Sequence, residues 1–493
     1  MRPDAVRTEQ TRPVDSTVEP ISAPVPLCVD LDGTLLRTNS LFEVCWFQLR
    51  RHPWLLLQIP FWLLRGQAYL WSRLEISEDL PIATWPCNPE VLSFLAEQRP
   101  KRPLYLVTGS SQRLAERFAQ HLGIFSGVFA TQDKHLVGPA KAEFLAAHFG
   151  PGRYDYIGDS QAEFTAWRGA RQSFTVESPL LNLAQAFAHP LTPLAASSPR
   201  RPWAALWRAL RPYQWSKNLL VFLPPALGHS ISQAPQLLAS LVAFTSFSLC
   251  SSAVYLLNDC LDLESDRTHP TKSRRPLASG DLPLPHALAA TAALFLLSFA
   301  LAAVFCPAVL LVLGVYLAAS TFYTVYAKTL LVVDLVLLAA FYVLRIFAGS
   351  LATQVPVSFW LNLFSLFLFF GLATLKRCAE LQRRARAGSS PNARRAYRNE
   401  DLLPLSILGS ASHLLAVLVV GLYIHTPDVA RLYPSPQFLW LICPIVLAWG
   451  ARLWLLSGRG EIEEDPISFA LRDRWSHTAA LFALASVWLA AQA

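Results

Sequence analysis

The sequence predicts two architectures in one chain: an α/β domain with a helical cap, followed by an all-α polytopic bundle of membrane-spanning helices. Two observations carry this. Composition changes near residue 195, from soluble-like to strongly apolar. The spacing of apolar runs changes with it. Up to about residue 187, short β-rich runs alternate with helical stretches. Later runs such as Ala287 to Phe305 carry no charge over a length that crosses a hydrocarbon core as a helix. A hydrophobic fraction of 53% and a mean hydropathy of +0.33 agree with a membrane class.

Residues 1–23 are polar and proline-bearing and read as a disordered tail. Residues 24–189 form the α/β domain, with strands expected at Pro26 to Val29, Leu104 to Val107 and Tyr154 to Ile157. Pro190 to Pro202 reads as a linker, and 203–493 as the bundle. About nine spans are expected in it, centred near residues 224, 247, 295, 315, 340, 367, 414, 446 and 484. Connections rich in Lys and Arg (Arg267 to Arg275, Lys376 to Arg398, Arg452 to Arg474) alternate with connections around Pro307, Pro356 and Pro427 that carry few. The positive-inside rule then puts the N-terminal domain in the cytoplasm, beneath the inner (plasma) membrane, and the C-terminus outside. The leading residues MRPDAVRTEQ lack the apolar core of a secretory signal.

The net charge of +8 lies mostly between apolar runs, where lipid headgroups account for it, so nucleic acid is excluded as a partner. The eight cysteines have neither zinc-ligand nor disulfide-framework spacing. Arg50 to Leu74 is an apolar stretch interrupted by Pro53, Pro60 and Gly66 and rimmed by arginines. It reads either as a buried helical cap or as an interfacial helix pair anchored by Trp and Arg.

In the α/β domain, a short apolar strand leads into Asp30-Leu31-Asp32-Gly33-Thr34. Two carboxylates at a strand's end suit phosphoryl chemistry: Asp30 as nucleophile, Asp32 as general acid and then base. Magnesium is required to offset carboxylate–phosphate repulsion, which calls for further acids. Thr108-Gly109-Ser110, Lys141, and Gly158-Asp159-Ser160 with Glu163 follow in that order. Thr108 is suited to hold the phosphate, Lys141 to neutralise charge, and Asp159 and Glu163 to complete a metal site with Asp30 and Asp32. From 26 to about 187 this pattern resembles the haloacid dehalogenase (HAD) superfamily of phosphatases, which implies a Rossmannoid, HAD-like fold. The superfamily's fourth motif often carries Asp where Glu163 stands.

In the bundle, an apolar run passes directly into Asn258-Asp259-Cys260-Leu261-Asp262-Leu263-Glu264-Ser265-Asp266. On one continuous helix, Asp259, Asp262 and Asp266 fall within a stripe about 60° wide. Three carboxylates so placed repel one another unless a divalent metal bridges them, and the metal can then hold a diphosphate. Cationic residues including Lys272 and Arg275 follow at once and can grip phosphate.

The acidic motif resembles the first motif of the UbiA superfamily of intramembrane prenyltransferases, from about residue 205 onward. The following His269-Pro270-x-Lys272-x-x-Arg275-Pro276 and the earlier Gln214-Trp215-Ser216-Lys217-Asn218 look most like the decaprenyl-phosphate phosphoribosyltransferase branch. Lys376-Arg377 stands where aromatic prenyltransferases carry a second acidic motif. Tyr323 and Lys328 resemble the superfamily's Tyr-Lys pair with one extra residue between them. Arg345, a charge inside an apolar span, reads as reaching the phosphate site or pairing structurally. Asp465-Pro466 and Leu471-Arg472-Asp473-Arg474 read either as ion pairs supporting the site or as a solvated cytoplasmic loop, the loop being preferred. The resemblance implies transfer of phosphoribose from phosphoribosyl diphosphate to a polyprenyl phosphate, with Asn258, Lys217, Asn218, Tyr323, Lys328, Arg345, Lys376 and Arg377 around the substrates. It leaves open an aromatic-ring prenyltransferase, or a transporter or lipid-binding protein.

Overall fold

The computed structural model describes residues 24–74, 76–132, 135–176, 191–194, 202–386, 396–462 and 465–492. The expected tail, 1–23, lies outside them, as does most of the expected linker. The chain divides into two compact units, Met1–Arg200 and Arg201–Ala493.

Unit 1 contains, in chain order, β1 (Leu27–Val29), α1 (Ser40–Arg51), α2 (Leu55–Leu64), α3 (Gln67–Arg73), α4 (Pro89–Gln98), β2 (Leu104–Ser111), α5 (Gln112–Leu122), β3 (Gly127–Thr131), α6 (Pro139–Phe149), β4 (Asp155–Gly158), α7 (Phe164–Gly169), β5 (Ser173–Thr175) and β6 (Leu191–Pro193). The strands form one parallel sheet in the order β3-β2-β1-β4-β5-β6. Leu27, Cys28 and Val29 of central β1 are wholly buried. Leu27 and Val29 join Leu106, Leu114 and Phe118 on one face, while Cys28 joins Tyr154, Tyr156 and Trp167 on the other. Burial on both faces explains why β1 is a continuous apolar run rather than an alternating one. The strand order reverses between β1 and β4, so the loops leaving their carboxyl ends diverge there and open a crevice. Asp30 follows β1 and Asp159 follows β4.

One boundary differs from expectation. Leu191–Pro193, assigned above to a linker, is the sixth strand, in register Ser173↔Leu191 with β5. Prolines on each side of it made an edge strand look like connecting chain.

Unit 2 contains α8 (Pro202–Leu210), a 3-10 helix (Pro212–Phe222), α9 (Leu223–Leu227), α10 (Ala234–Leu261), α11 (Leu263–Arg267), α12 (Leu284–Phe305), α13 (Val309–Val325), α14 (Val333–Thr353), α15 (Phe359–Arg386), α16 (Leu402–Ile424), α17 (Pro427–Leu432), α18 (Ile442–Arg459), α19 (Pro466–Ala470) and α20 (Arg474–Gln492). Among the described residues six helices are long and apolar enough to span a membrane: α10, α12, α14, α15, and the stretches Asn399–Ile424 and Pro436–Arg459. These account for six of the expected nine spans; the other three do not meet that length and composition. The span expected near residue 224 is broken into the 3-10 helix and α9, where Pro212, Pro224 and Pro225 remove backbone donors. The one near 315, α13, has 17 residues. The one near 484, α20, carries Arg474, His477 and Gln492 and falls outside the six.

Close backbone packing fixes the interior of unit 2. A Cβ on Gly349 of α14 would lie 1.9 Å from the Val221 carbonyl oxygen, so only glycine lets α14 approach the 3-10 helix. That approach sets Arg345, one turn earlier on α14, against Asn218.

Candidate functional site

The crevice of unit 1 is built around Asp30. Lys141, projecting from α6 and 1% exposed, donates to Asp30 Oδ1 at 2.8 Å, Glu163 Oε1 at 2.9 Å and Tyr156 Oη at 3.0 Å. Thr34 Oγ1 donates to Asp30 Oδ2 at 3.5 Å. Gly33 adopts φ 80°, and a Cβ there would fall 1.9 Å from Asp159 Oδ2, so glycine both makes the turn and lets Asp159 close against the Asp30–Asp32 loop. Asp32 accepts from Ser40 N at 2.6 Å and Ser40 Oγ at 2.9 Å at the start of α1, and from Ser110 Oγ at 3.0 Å. Thr108 is fully buried and reaches Asp32 only through Ser110, whose amide donates to Thr108 Oγ1 at 3.1 Å.

The electrostatics follow from burial. Desolvation raises the Asp30 carboxyl against the pull of Lys141, with Glu163 and Asp159 adding to the rise. Asp32 is raised for the same first reason, opposed by its Ser40 and Ser110 donors. A rise moves Asp32 in the direction that a general acid needs. Lys141 is held above its ordinary range because Asp30 and Glu163 outweigh its desolvation.

Glu163 differs in position from the ligand role expected for it. Lys141 binds one of its oxygens and Tyr156 the other, so in this arrangement it orients Lys141. Both oxygens of Asp32 are likewise taken by serine donors. Asp30 and Asp159, hard oxygen donors at the crevice, fit a magnesium ion completed by water and phosphate.

The acidic motif of unit 2 departs from a single stripe. α10 ends at Leu261, Asp262 has φ −91° and ψ 7°, and α11 begins at Leu263. Asp259 and Asp266 still converge: Arg275 Nη1 donates to Asp259 at 3.0 Å and Asp266 at 2.6 Å. Asp262 meets a different cation, Lys328, at 3.6 Å. Arg211, which the sequence reading did not single out, donates to both oxygens of Asp259 at 2.5 and 2.8 Å. Lys272 stands 3.7 Å from Asp266. Asn258 accepts from Thr324 at 3.0 Å.

Among the described residues no group of three or more acidic, His or Cys side chains stands ready as a metal cage. Magnesium is commonly held by one or two carboxylates with substrate phosphates and water, however. Among the described residues the buried Asp266 Oδ1 has no hydrogen-bond partner. With Asp259 beside it on the same guanidinium, the mouth fits such an ion.

A second cluster gathers around Asp465. Asp465 binds Lys376 at 2.9 Å and Lys217 at 3.0 Å. Burial works to raise the Asp465 carboxyl, but Lys376 and Lys217 outweigh it and hold it well below the usual carboxylate range. Burial lowers Lys217 to about 8, with Lys376 and Arg345 adding to the push against Asp465. Arg345 is buried. Its Nε donates to Asn218 at 2.7 Å, Nη1 to the Phe341 carbonyl, and the guanidinium sits over Phe247, Tyr316 and Tyr342 at 4.9, 5.3 and 5.8 Å from the ring centroids. No carboxylate pairs with it among the described residues. Tyr255 stands between the two clusters: Arg211 lies 5.1 Å from its ring centroid, and it lies within the fields of Arg345, Lys376 and Asp465.

Two expectations are corrected here. Arg377 is not a free phosphate clamp, because its three nitrogens donate to Asp334 at 2.8 Å, Glu380 at 2.7 Å and Tyr323 at 2.8 Å inside the protein. Tyr323 is thereby drawn to Arg377 while Lys328 turns to Asp262, so the expected Tyr-Lys pair is split. Asp465, read in preference as solvated loop, is a half-buried carboxylate that joins Lys217 to Lys376, and Asp473 is paired with Arg452 at 2.7 and 3.0 Å.

Cations grouped with an acidic mouth near the ends of helices long and apolar enough to span a membrane make up the candidate site of unit 2. The chain belongs to the UbiA prenyltransferase family, whose profile matches residues 220–490. The haloacid dehalogenase-like hydrolase model matches residues 27–162, within unit 1, which carries a HAD-like domain. An uncharacterised protein of Sinorhizobium fredii, y4nM, is 32% identical over 463 residues, 92% of this chain and 88% of its own. Decaprenyl-phosphate phosphoribosyltransferase of Mycobacterium tuberculosis is 34% identical over 291 residues, 58% of this chain and 92% of its own. A solved UbiA homologue from Archaeoglobus fulgidus, bound to GPP and Mg2+, covers 58% of this chain and 99% of its own at 19% identity and TM-score 0.42.

Proposed function

We propose that unit 2 transfers 5-phosphoribose from phosphoribosyl diphosphate to a polyprenyl phosphate, and that unit 1 removes the 5-phosphate from the product. The observation that carries this reading is the pairing of one acidic mouth with a second cluster, in which Lys217 and Lys376 share the single carboxylate of Asp465 and Arg345 carries a buried charge without a carboxylate partner among the described residues. Two anionic substrates need two such places, whereas an uncharged aromatic acceptor needs one. The mycobacterial relative's name agrees with it.

In this reading Asp259 and Asp266, with Asp262 nearby, hold magnesium, which when bound neutralises the diphosphate leaving group. Arg211, Arg275, Lys272 and Lys328 exchange their carboxylate partners for the donor's phosphates. Lys217, Lys376 and Arg345 orient the lipid phosphate, whose oxygen bonds to the anomeric carbon as the bond from that carbon to the diphosphate oxygen breaks. In unit 1, Asp30 attacks the 5-phosphate, Asp32 gives its proton to the departing ribose oxygen and then activates water, and Lys141 holds Asp30 in place. The chain acts in the inner membrane with unit 1 in the cytoplasm.

Purified protein incubated with labelled phosphoribosyl diphosphate, magnesium and polyprenyl phosphate tests the assignment. Lipid-linked ribose of the expected mass, with diphosphate released, supports it. Product only from a polyprenyl diphosphate and an aromatic acceptor would replace it with ring prenylation, and no product from either would favour a binding or transport role.

A further inference from the structure

The cap of unit 1 carries a feature that neither reaction uses. Helix α2 has no fully buried residue. Only Leu55, Ile59 and Trp62 turn inward, and Ile59 and Trp62 touch the domain core. The opposite side presents Leu57 (73% exposed), Phe61 (68%) and Leu64 (85%), with Trp54, Leu56 and Leu63 also exposed. Five large apolar side chains on one short helix, with Trp54 just before it, form a patch of a kind soluble surfaces rarely carry without a partner.

The surroundings say which partner. From Arg50 to Leu74 the chain has four arginines and no acidic residue. Arg65 and Arg73 both donate to Tyr69 Oη at 3.1 Å and lie over its ring, and Arg51 lies over Phe47, 4.3 Å from its centroid. Cations thus stand at both ends of α2, with Trp54 at its start. An apolar helix face collared by arginine and tryptophan matches the anionic headgroup–acyl boundary of a bilayer, where the apolar face sinks and the arginines remain among phosphates. The bilayer is also at hand. Seven residues separate Leu194, the last described residue after β6, from Pro202 at the start of α8, and a chain of that length spans at most roughly 28 Å.

We propose that α2 is an interfacial membrane anchor, inserted in the leaflet that unit 2 spans, which seats the crevice of unit 1 at the lipid surface. This does not depend on either catalytic assignment. It resolves the two readings of residues 50–74: the inward face of α2 belongs to the cap and the outward face to the membrane.

Full-length protein in nanodiscs of phosphatidylglycerol and phosphatidylcholine, bearing a diazirine-tagged phospholipid, provides the test. Trypsin releases His52–Arg65 as one peptide, and its lipid adducts are counted by mass spectrometry. We expect adducts on Leu56 to Leu64 at a yield near that of α12 and at least about fivefold above that of the surface helix α5. The triple variant Leu57→Ser, Phe61→Ser, Leu64→Ser should lose those adducts while α12 labelling and the protease resistance of unit 1 stay unchanged. The single variant Leu64→Ser should lose part of them. Labelling of α2 no higher than that of α5, full labelling in a folded triple variant, or adducts to a second protein copy in place of lipid would each overturn the proposal.

Discussion

The two acidic sites solve the same problem, several carboxylates close together, by opposite means. In unit 1 one buried lysine serves two carboxylates and a tyrosine at once, and serine donors fix both oxygens of Asp32. In unit 2 each acid of the mouth meets cations of its own, with Arg275 shared between Asp259 and Asp266. The first arrangement is a fixed constellation, in which removing one member leaves a buried charge without its partner. The second is a set of exchangeable ion pairs, part-exposed at the mouth, which suits substrates that bring charge with them and take it away. In the proposed scheme, rigidity goes with the covalent step of unit 1 and exchangeability with two-substrate binding in unit 2.

The sharpest way to break this comparison is Asp30→Asn. It should lower phosphate release from the lipid-linked product by about 10^4-fold or more, with diphosphate release unchanged and 5-phosphorylated lipid accumulating. Mass analysis of the lipid fraction reads both; unchanged lipid products would end the serial scheme. Asp259→Asn should slow diphosphate release by at least about 10^2-fold and leave unit 1 activity on a soluble phosphoester intact. Loss of both activities in a folded variant would mean that the sites are not separate.

Arg377→Ala sharpens the comparison from another side. Asp334 is fully buried, and Arg377 and Tyr397 are its donors, so the variant should destabilise unit 2 by about 3 kcal/mol or more, seen as earlier thermal unfolding in detergent. A normal melting curve with a raised substrate KM would restore Arg377 as a phosphate ligand. The smallest effect concerns Lys217, which burial lowers to about 8. It is charged below that pH and neutral above it, so KM for polyprenyl phosphate should climb above pH 8, approaching about tenfold per pH unit. Lys217→Arg should flatten the rise.

Much of this was legible in the sequence where chemistry is local. Asp30, Asp32 and Asp159 each follow an apolar strand within a few residues, and the parallel sheet brings them to one edge. The acidic motif after α10 was legible for the same reason. Partners brought together by the fold were not. Arg211 and Asp259 lie 48 residues apart, and Lys376 and Asp465 lie 89 apart. Nothing near Asp465-Pro466 marks it as half-buried. Arg377 looked like Lys376 because adjacent helix positions point about 100° apart, which sends one inward to Asp334 and the other to Asp465. Of the expected spans, the one near residue 224 is broken at prolines, which a hydropathy average does not weigh.

The long helix α10 has one more consequence. Its 28 residues end at Leu261, so its aligned peptide dipoles leave roughly half a negative charge on the last carbonyls, beside Asp259 and Asp262. The mouth is therefore more electronegative than its carboxylates alone would make it. Replacing a single aspartate with asparagine leaves that backbone field in place, still drawing cations to the helix end. A charge-neutral variant should accordingly keep some affinity for divalent metal after its turnover is gone, and metal titration monitored apart from catalysis would measure how much of the site belongs to the helix rather than to its side chains.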